Sequence, residues 1–354
     1  MPFPFRAPRL GRPRALALAA LSLHAASVAT PTLHAQQPAV DRLRRDIAYL
    51  VDSRLAGRRT GTPGNDSAAA YIAATYAGLG LRPLSLDSAS QCAAARAPIR
   101  CFLQPFTARH VAVVADGSPE IMLTQNVAAL VRGRDAALRG QVIVVGAHFD
   151  HLGRSPVGAL DPEAKNAMRP GADDNASGTA AVMELARAFA ARPTRRSVIF
   201  ANFSGEELGQ LGSEWFVQHA PVALDSVVAM INFDMVGRLR NDTLIVYGVA
   251  TAKELRALLD SANVQPPLTI DARGNGWGDS DQRPFYAMGI PVLHFFTGFH
   301  EDYHRATDVA EKLAIPGEAR VVSVAERTIR LIGDRPARIT PVRLSGQSER
   351  ARTP

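Results

Sequence analysis

The sequence predicts a single α/β domain, a mixed and mostly parallel sheet with helices on both faces. Residues 141–147 (QVIVVGA), 197–202 (SVIFAN) and 227–233 (VVAMINF) are short runs rich in Val and Ile, the pattern of strands buried on both sides. Helical stretches at 179–191, 253–262 and 317–333 alternate with them, and further strands are expected at 243–248 and 291–295. Polar residues able to do chemistry stand directly after the apolar runs: His148 after the first, Glu206 and Glu207 after the second, Asp234 after the third. Ligands bind at that carboxyl edge in open α/β sheets.

Each element serves this arrangement. The turn GADDNASG (171–178) precedes the helix at 179–191 and holds Asp174 beside a helix N-terminus. His148, Asp150, Asp174, Glu206, Glu207, Asp234 and His304 then supply imidazoles and carboxylates without a thiolate. That donor set suits a pair of zinc ions that keep positions open for water and substrate, whereas structural zinc sites are Cys-rich and closed. The segment 88–127 is the least legible. It contains both cysteines, Cys92 and Cys101, whose spacing in an exported chain predicts a local disulfide, with free thiols as the alternative.

Five segments in order, AHFDHLG (147–153), GADDNASG, SGEELGQLGS (204–213), NFDMVGR (232–238) and YHRATD (303–308), resemble the co-catalytic zinc aminopeptidases. That family also includes glutamate carboxypeptidases, glutaminyl cyclases and the transferrin-receptor ectodomain. The resemblance spans roughly 41–333, because residues 55–84 are also similar to the family's N-terminal loop and helix. It implies a zinc-aminopeptidase, phosphorylase/hydrolase-like fold with two zinc ions per chain. His148 and Asp234 would hold one ion and Glu207 and His304 the other, with Asp174 bridging. Glu206 would be the general base, Asp150 would hold the His148 imidazole in its ligating tautomer, and Tyr303 would polarise the substrate carbonyl.

The activity implied is hydrolysis of N-terminal residues from a peptide substrate. A carboxypeptidase or dipeptidase of the same fold is the nearest rival, followed by a glutaminyl cyclase or a non-catalytic scaffold. The recognition pocket is expected to draw on 273–280 and 297–302. Asp281 matches a family position often followed by His, where this chain has Gln282. Asp173 is expected to shape the backbone beside the bridging residue. His110, His151, His219, His294 and His300 lie outside the matched ligand positions and are expected in surface or structural roles, with His151 nearest the site.

The N-terminus carries four arginines and no acid, then a mostly apolar run at 15–29 and a small-residue site ending at Ala35. This predicts a signal peptide over 1–35, with Ala29 the competing cleavage point, and an exported, periplasmic or extracellular protein. The apolar run is too short to predict a lasting membrane span. The formal charge of +7 would suggest nucleic acid, but residues 1–35 and 335–354 carry +4 each, leaving 36–334 at −1. A near-neutral core predicts no nucleic-acid partner. The catalytic domain is expected over 36–334, and the Arg-rich tail at 335–354 is expected to be disordered.

Overall fold

The structure, a computed structural model, describes residues 1, 2, 4, 33–84, 92, 98–110, 120–264 and 266–343. Most of the expected signal peptide, residues 5–32, lies outside the described residues. No helix among those described is long and apolar enough to cross a membrane.

One sheet organises the chain. Its strands are β1 (Arg82–Pro83), β2 (Leu103–His110), β3 (Glu120–Val131), β4 (Val142–His148), β5 (Ser197–Phe203), β6 (Val227–Phe233), β7 (Thr243–Tyr247), β8 (Thr269–Arg273) and β9 (Val292–Phe296), in the order β1-β3-β5-β4-β6-β9-β7-β8 with β2 also on β3. The four central strands β5, β4, β6 and β9 run parallel, and every residue in them is buried. Antiparallel partners flank this centre, β3 against β5 and β7 against β9. Central strands covered on both faces cannot alternate in polarity, which is why they read as continuous apolar runs.

Alternate residues of β4 face two cores. Ile143, Val145 and Ala147 join the larger one, which packs α1 (Leu33–Leu50), α2 (Pro63–Gly78), α3 (Gly178–Ala191), α5 (Leu255–Ala262) and α7 (Ile315–Asp334). Val142 and Val144 face the smaller one, with Phe216 of α4 (Leu211–Gln218) and Phe285 of α6 (Gln282–Ala287). Gly146 is obligatory, since a Cβ there would lie 2.6 Å from the Phe203 ring. The chain leaves β4 for β5 on one side and then crosses to β6 on the other. The carboxyl edge at β4 is therefore a topological switch point, where open α/β sheets place their ligands.

Cys92 and Cys101 form a disulfide. The expected disorder of the tail does not extend over 335–343. Arg338 donates to the carbonyls of Asp225 and Val227 at 2.7 and 2.9 Å, Ile339 is buried, and the Thr340 amide donates to Glu254. Arg338, in the stretch expected to be disordered, instead ties the chain to the start of β6. Residues 344–354 lie outside the described residues.

Candidate metal centre

Strand ends and loops bring the predicted donors together. His148 closes β4 and Asp234 follows β6 directly, with the His148 Nε2 3.4 Å from an Asp234 oxygen and 3.4 Å from Asp174 Oδ1. Across Asp174, His304 Nε2 lies 3.1 Å from Asp174 Oδ2 and 3.1 Å from Glu207 Oε2. Two ligand atoms each about 2 Å from a tetrahedral ion stand about 3.3 Å apart, so both groupings match the spacing of donors around zinc. The buried His148 Nε2 and Asp234 Oδ1 have no hydrogen-bond partner in the protein, which leaves room for a cation between them.

Backbone carbonyls fix the imidazoles. Nδ1 of His148 donates to the Asp150 carbonyl at 3.2 Å, and Nδ1 of His304 donates to the Gly158 carbonyl at 2.7 Å, leaving each Nε2 as the free donor atom. The orienting partner of His148 is thus the main chain of Asp150, since its carboxylate stands 3.7 Å off. That carboxylate instead accepts from Thr60 Oγ1 at 2.7 Å and from the Glu206 amide at 3.2 Å, so it braces the Glu-Glu turn.

The turn carrying Asp174 is held from two sides. Asp308 Oδ2 accepts the amides of Asp173 and Asp174 at 2.9 and 3.1 Å. Arg58, fully buried, donates to the carbonyls of Leu50, Phe149, Pro170, Gly171 and Asp174. Asp173 serves the backbone as expected, its Oδ1 accepting from the Gly237 amide at 2.7 Å while Oδ2 lies 3.2 Å from His300 Nε2. Sequence reasoning missed Arg58. Its only signal was its place inside the matched segment at 55–84.

Electrostatics separates the adjacent glutamates. Burial pushes Glu206 well above the ordinary carboxyl range, opposed by His148 and reinforced by Asp234, Asp281 and Glu207. Burial acts the same way on Glu207, but His151 and His304 outweigh it and hold Glu207 well below that range. His304 is raised to about 11 despite its burial by hydrogen bonds to Asp174 and Glu207. Burial raises Asp281 to about 7, against His148 and Ser213 and with Asp150 and Asp234. Where the family's His would follow, Gln282 accepts from Asn232 at 3.0 Å; Asn232 also donates to Ser280, which donates to Asp234 at 2.8 Å.

A cavity of about 360 Å³ opens on Asp174, Glu206, Asp234 and His304. Trp277 to Asp279 and Phe299 line it, from the two expected segments, together with Tyr247, His294, Phe296 and Tyr303. Of the histidines expected in surface or structural roles, His294 lines this cavity, and His151, expected nearest the site, is buried with its Nδ1 2.6 Å from Glu207 Oε1. His219 stays at the surface, stacked on Trp215.

Comparison with known proteins gives the family and the fold. The leupeptin-inactivating enzyme 1 of Streptomyces exfoliatus is 35% identical over 146 residues, 40% of this chain and 32% of that protein. Aminopeptidase YwaD of Bacillus subtilis is 28% identical over 182 residues, 49% and 37% of the two chains. The chain thus spans about a third of the length of these curated relatives. An aminopeptidase from Aneurinibacillus sp. strain AM-1 superposes with a TM-score of 0.65 at 16% identity, covering 86% of this chain and 96% of the other. A Bacteroides thetaiotaomicron glutaminyl cyclase does so at 0.62 and 16%, covering 82% and 97%, so the fold alone does not separate those chemistries. Residues 126–328, more than half of the chain and containing all five proposed metal ligands, match Peptidase family M28, and the chain belongs to that family.

Proposed function

We propose that this chain is an exported two-zinc aminopeptidase acting on peptides. One observation carries the reading: the two oxygens of Asp174 face different donor groups, Oδ1 towards His148 and Oδ2 towards His304. A carboxylate so placed would serve two cations, one that His148 and Asp234 would hold and another that Glu207 and His304 would hold. When bound, such a pair supplies Lewis-acid polarisation of the scissile carbonyl and a water of near-neutral pKa.

The remaining steps belong to the protein. Glu206, which lines the cavity beside Asp174 and Asp234, takes the proton of the attacking water and passes it to the leaving amine. Asp150 keeps Glu206 in place through the backbone amide. Tyr303 stays protonated, because burial and the surrounding carboxylates raise its pKa, and donates to the carbonyl oxygen as negative charge develops.

The cavity supports the choice of substrate end. Among the described residues lining it are four acids, Asp174, Glu206, Asp234 and Asp279, and no Arg or Lys. Glu206 and Asp279, the two of these acids not assigned to an ion, can face an ammonium group, and no Arg or Lys is offered to a terminal carboxylate. Tyr247, Trp277, Phe296 and Phe299 favour an apolar first residue. The basic, then apolar N-terminal segment and the Cys92–Cys101 disulfide support export to an oxidising compartment.

The test is a matched pair of short peptides, one with a free N-terminus and one acetylated, followed by mass spectrometry beside zinc analysis of the protein. We expect stepwise loss of N-terminal residues from the free peptide alone and about two zinc equivalents. Release of C-terminal residues, or equal cleavage of the blocked peptide, overturns the aminopeptidase reading and leaves a two-zinc hydrolase.

A further inference from the structure

We propose that His151 is a positioning residue that holds Glu207 by its outer oxygen, so that Glu207 presents only Oε2 to the metal centre. The inference rests on the two-zinc reading above. His151 stands in the loop after β4, three residues beyond His148, and its side chain is fully buried. Its Nδ1 donates to Glu207 Oε1 at 2.6 Å, while Glu207 Oε2 faces His304 Nε2 and the Asp174 group. The two oxygens of one carboxylate thus have separate partners. A carboxylate free to rotate could offer both oxygens to one ion or turn away from it; one bound by a buried imidazole can do neither.

Packing holds the imidazole. Gly171, at φ +61°, lies against it, and a Cβ there would come within 2.4 and 2.5 Å of the ring's Cγ and Cδ2. The Gly171 carbonyl is in turn bound by Arg58 at 2.6 Å. The other ring nitrogen, Nε2, is buried and has no hydrogen-bond partner in the protein. The ring therefore has one hydrogen bond, and it goes to Glu207. The competing role is direct ligation: His151 Nδ1 lies 3.9 Å from Asp174 Oδ2, so that His151, Asp174 and Glu207 could themselves surround an ion.

The experiment uses the full-length protein with zinc as the probe. Zinc stoichiometry at saturation and affinity by competition with a chromogenic chelator are measured for wild type, His151→Gln and His151→Phe. Gln keeps an N–H donor, whereas Phe keeps bulk without one. We expect both variants to reach the wild-type stoichiometry, with one ion held about 10- to 100-fold more weakly in His151→Phe and recovery to within a few-fold in His151→Gln. Affinity unchanged in His151→Phe overturns the proposal. So does a stoichiometry lower by one in both variants at saturating zinc, which would make His151 a ligand. If His151→Phe does not fold, the Gln variant decides alone, since a ligand role predicts loss of one ion from it and a positioning role does not. A wild-type protein that binds no zinc sinks the two-zinc reading itself, a result distinct from either outcome for His151.

Discussion

His148 and Asp234 sit at the ends of adjacent parallel strands, whereas Glu207 and His304 sit on loops, and the two halves of the centre are held by different means. On the strand side, position follows from the β4–β6 ladder, with Ile143 opposite Ala229 and Gly146 opposite Asn232. On the loop side, position depends on separate polar contacts: Gly158 on His304, His151 on Glu207, Asp150 on the Glu206 amide. His304 also adopts a φ of +56°, a left-handed conformation that costs a non-glycine residue roughly 1 kcal/mol or more. Strands place a ligand's backbone through hydrogen bonds that the fold makes anyway, leaving the Asp150 carbonyl and Ser280 only to orient the His148 and Asp234 side chains. Loops need dedicated partners for each one.

The largest test of this division lies between the halves. Glu206→Gln should cut turnover by about 10²- to 10⁴-fold while leaving zinc content close to that of wild type, because the role proposed for Glu206 is to move a proton and not to hold an ion. Glu207→Gln should instead lower zinc content. Steady-state kinetics beside metal analysis reads both, and exchanged phenotypes would mean that the glutamate roles are reversed.

Next in size is the link between the halves. Arg58 reaches Phe149 beyond the strand that carries His148 and the Gly171–Asp174 turn that both ions would share. Burial lowers its pKa to about 10, against the pull of Asp174, Asp150, Asp308 and Glu207, so it stays charged at neutral pH. Arg58→Ala leaves several buried carbonyls without donors and should cost about 3–5 kcal/mol in urea unfolding. Arg58→Lys keeps the charge but only three donors and should fall between. A midpoint unmoved by Arg58→Ala would show that these carbonyls find other partners.

The same division explains what could be read from sequence. The expected strands at 141–147, 197–202 and 227–233 lie within one residue of β4, β5 and β6, because strands buried on both faces announce themselves by continuous apolar runs. All five proposed ligands fell in ordered motifs, and the structure brings them together. β3 escaped notice because its outer half inverts the usual pattern: Leu123 and Ile121 are exposed while Thr124 and Asn126 are buried, Thr124 bonded to Asn65 and Ser204 and Asn126 to Gly212. No polarity rule assigns such a strand its inner face. The partner of His151 went unnamed, and Arg58 was missed, for a related reason. Their partners are 56 and up to 116 residues away, and a hydrogen bond across that separation leaves no periodicity behind. The tail was expected to be disordered for the same want of a local partner.

The smallest effect tests the comparison most directly. If strands hold ligands ready while loops must order around theirs, the ion held by Glu207 and His304 is the weaker one. The strain at His304 alone accounts for roughly 1.4 kcal/mol, about tenfold in affinity, if the loop relaxes when the ion leaves. Titrating the wild-type protein with a chelator of graded strength should then remove zinc in two steps about tenfold apart. His304→Ala should abolish the first step and spare the second, and His148→Ala should do the reverse. A single step, or loss of the later step in His304→Ala, would mean that the strand ladder confers no advantage, and that the loop contacts made by Gly158, His151 and Asp150 pre-order their half of the centre as well as β4 and β6 do theirs.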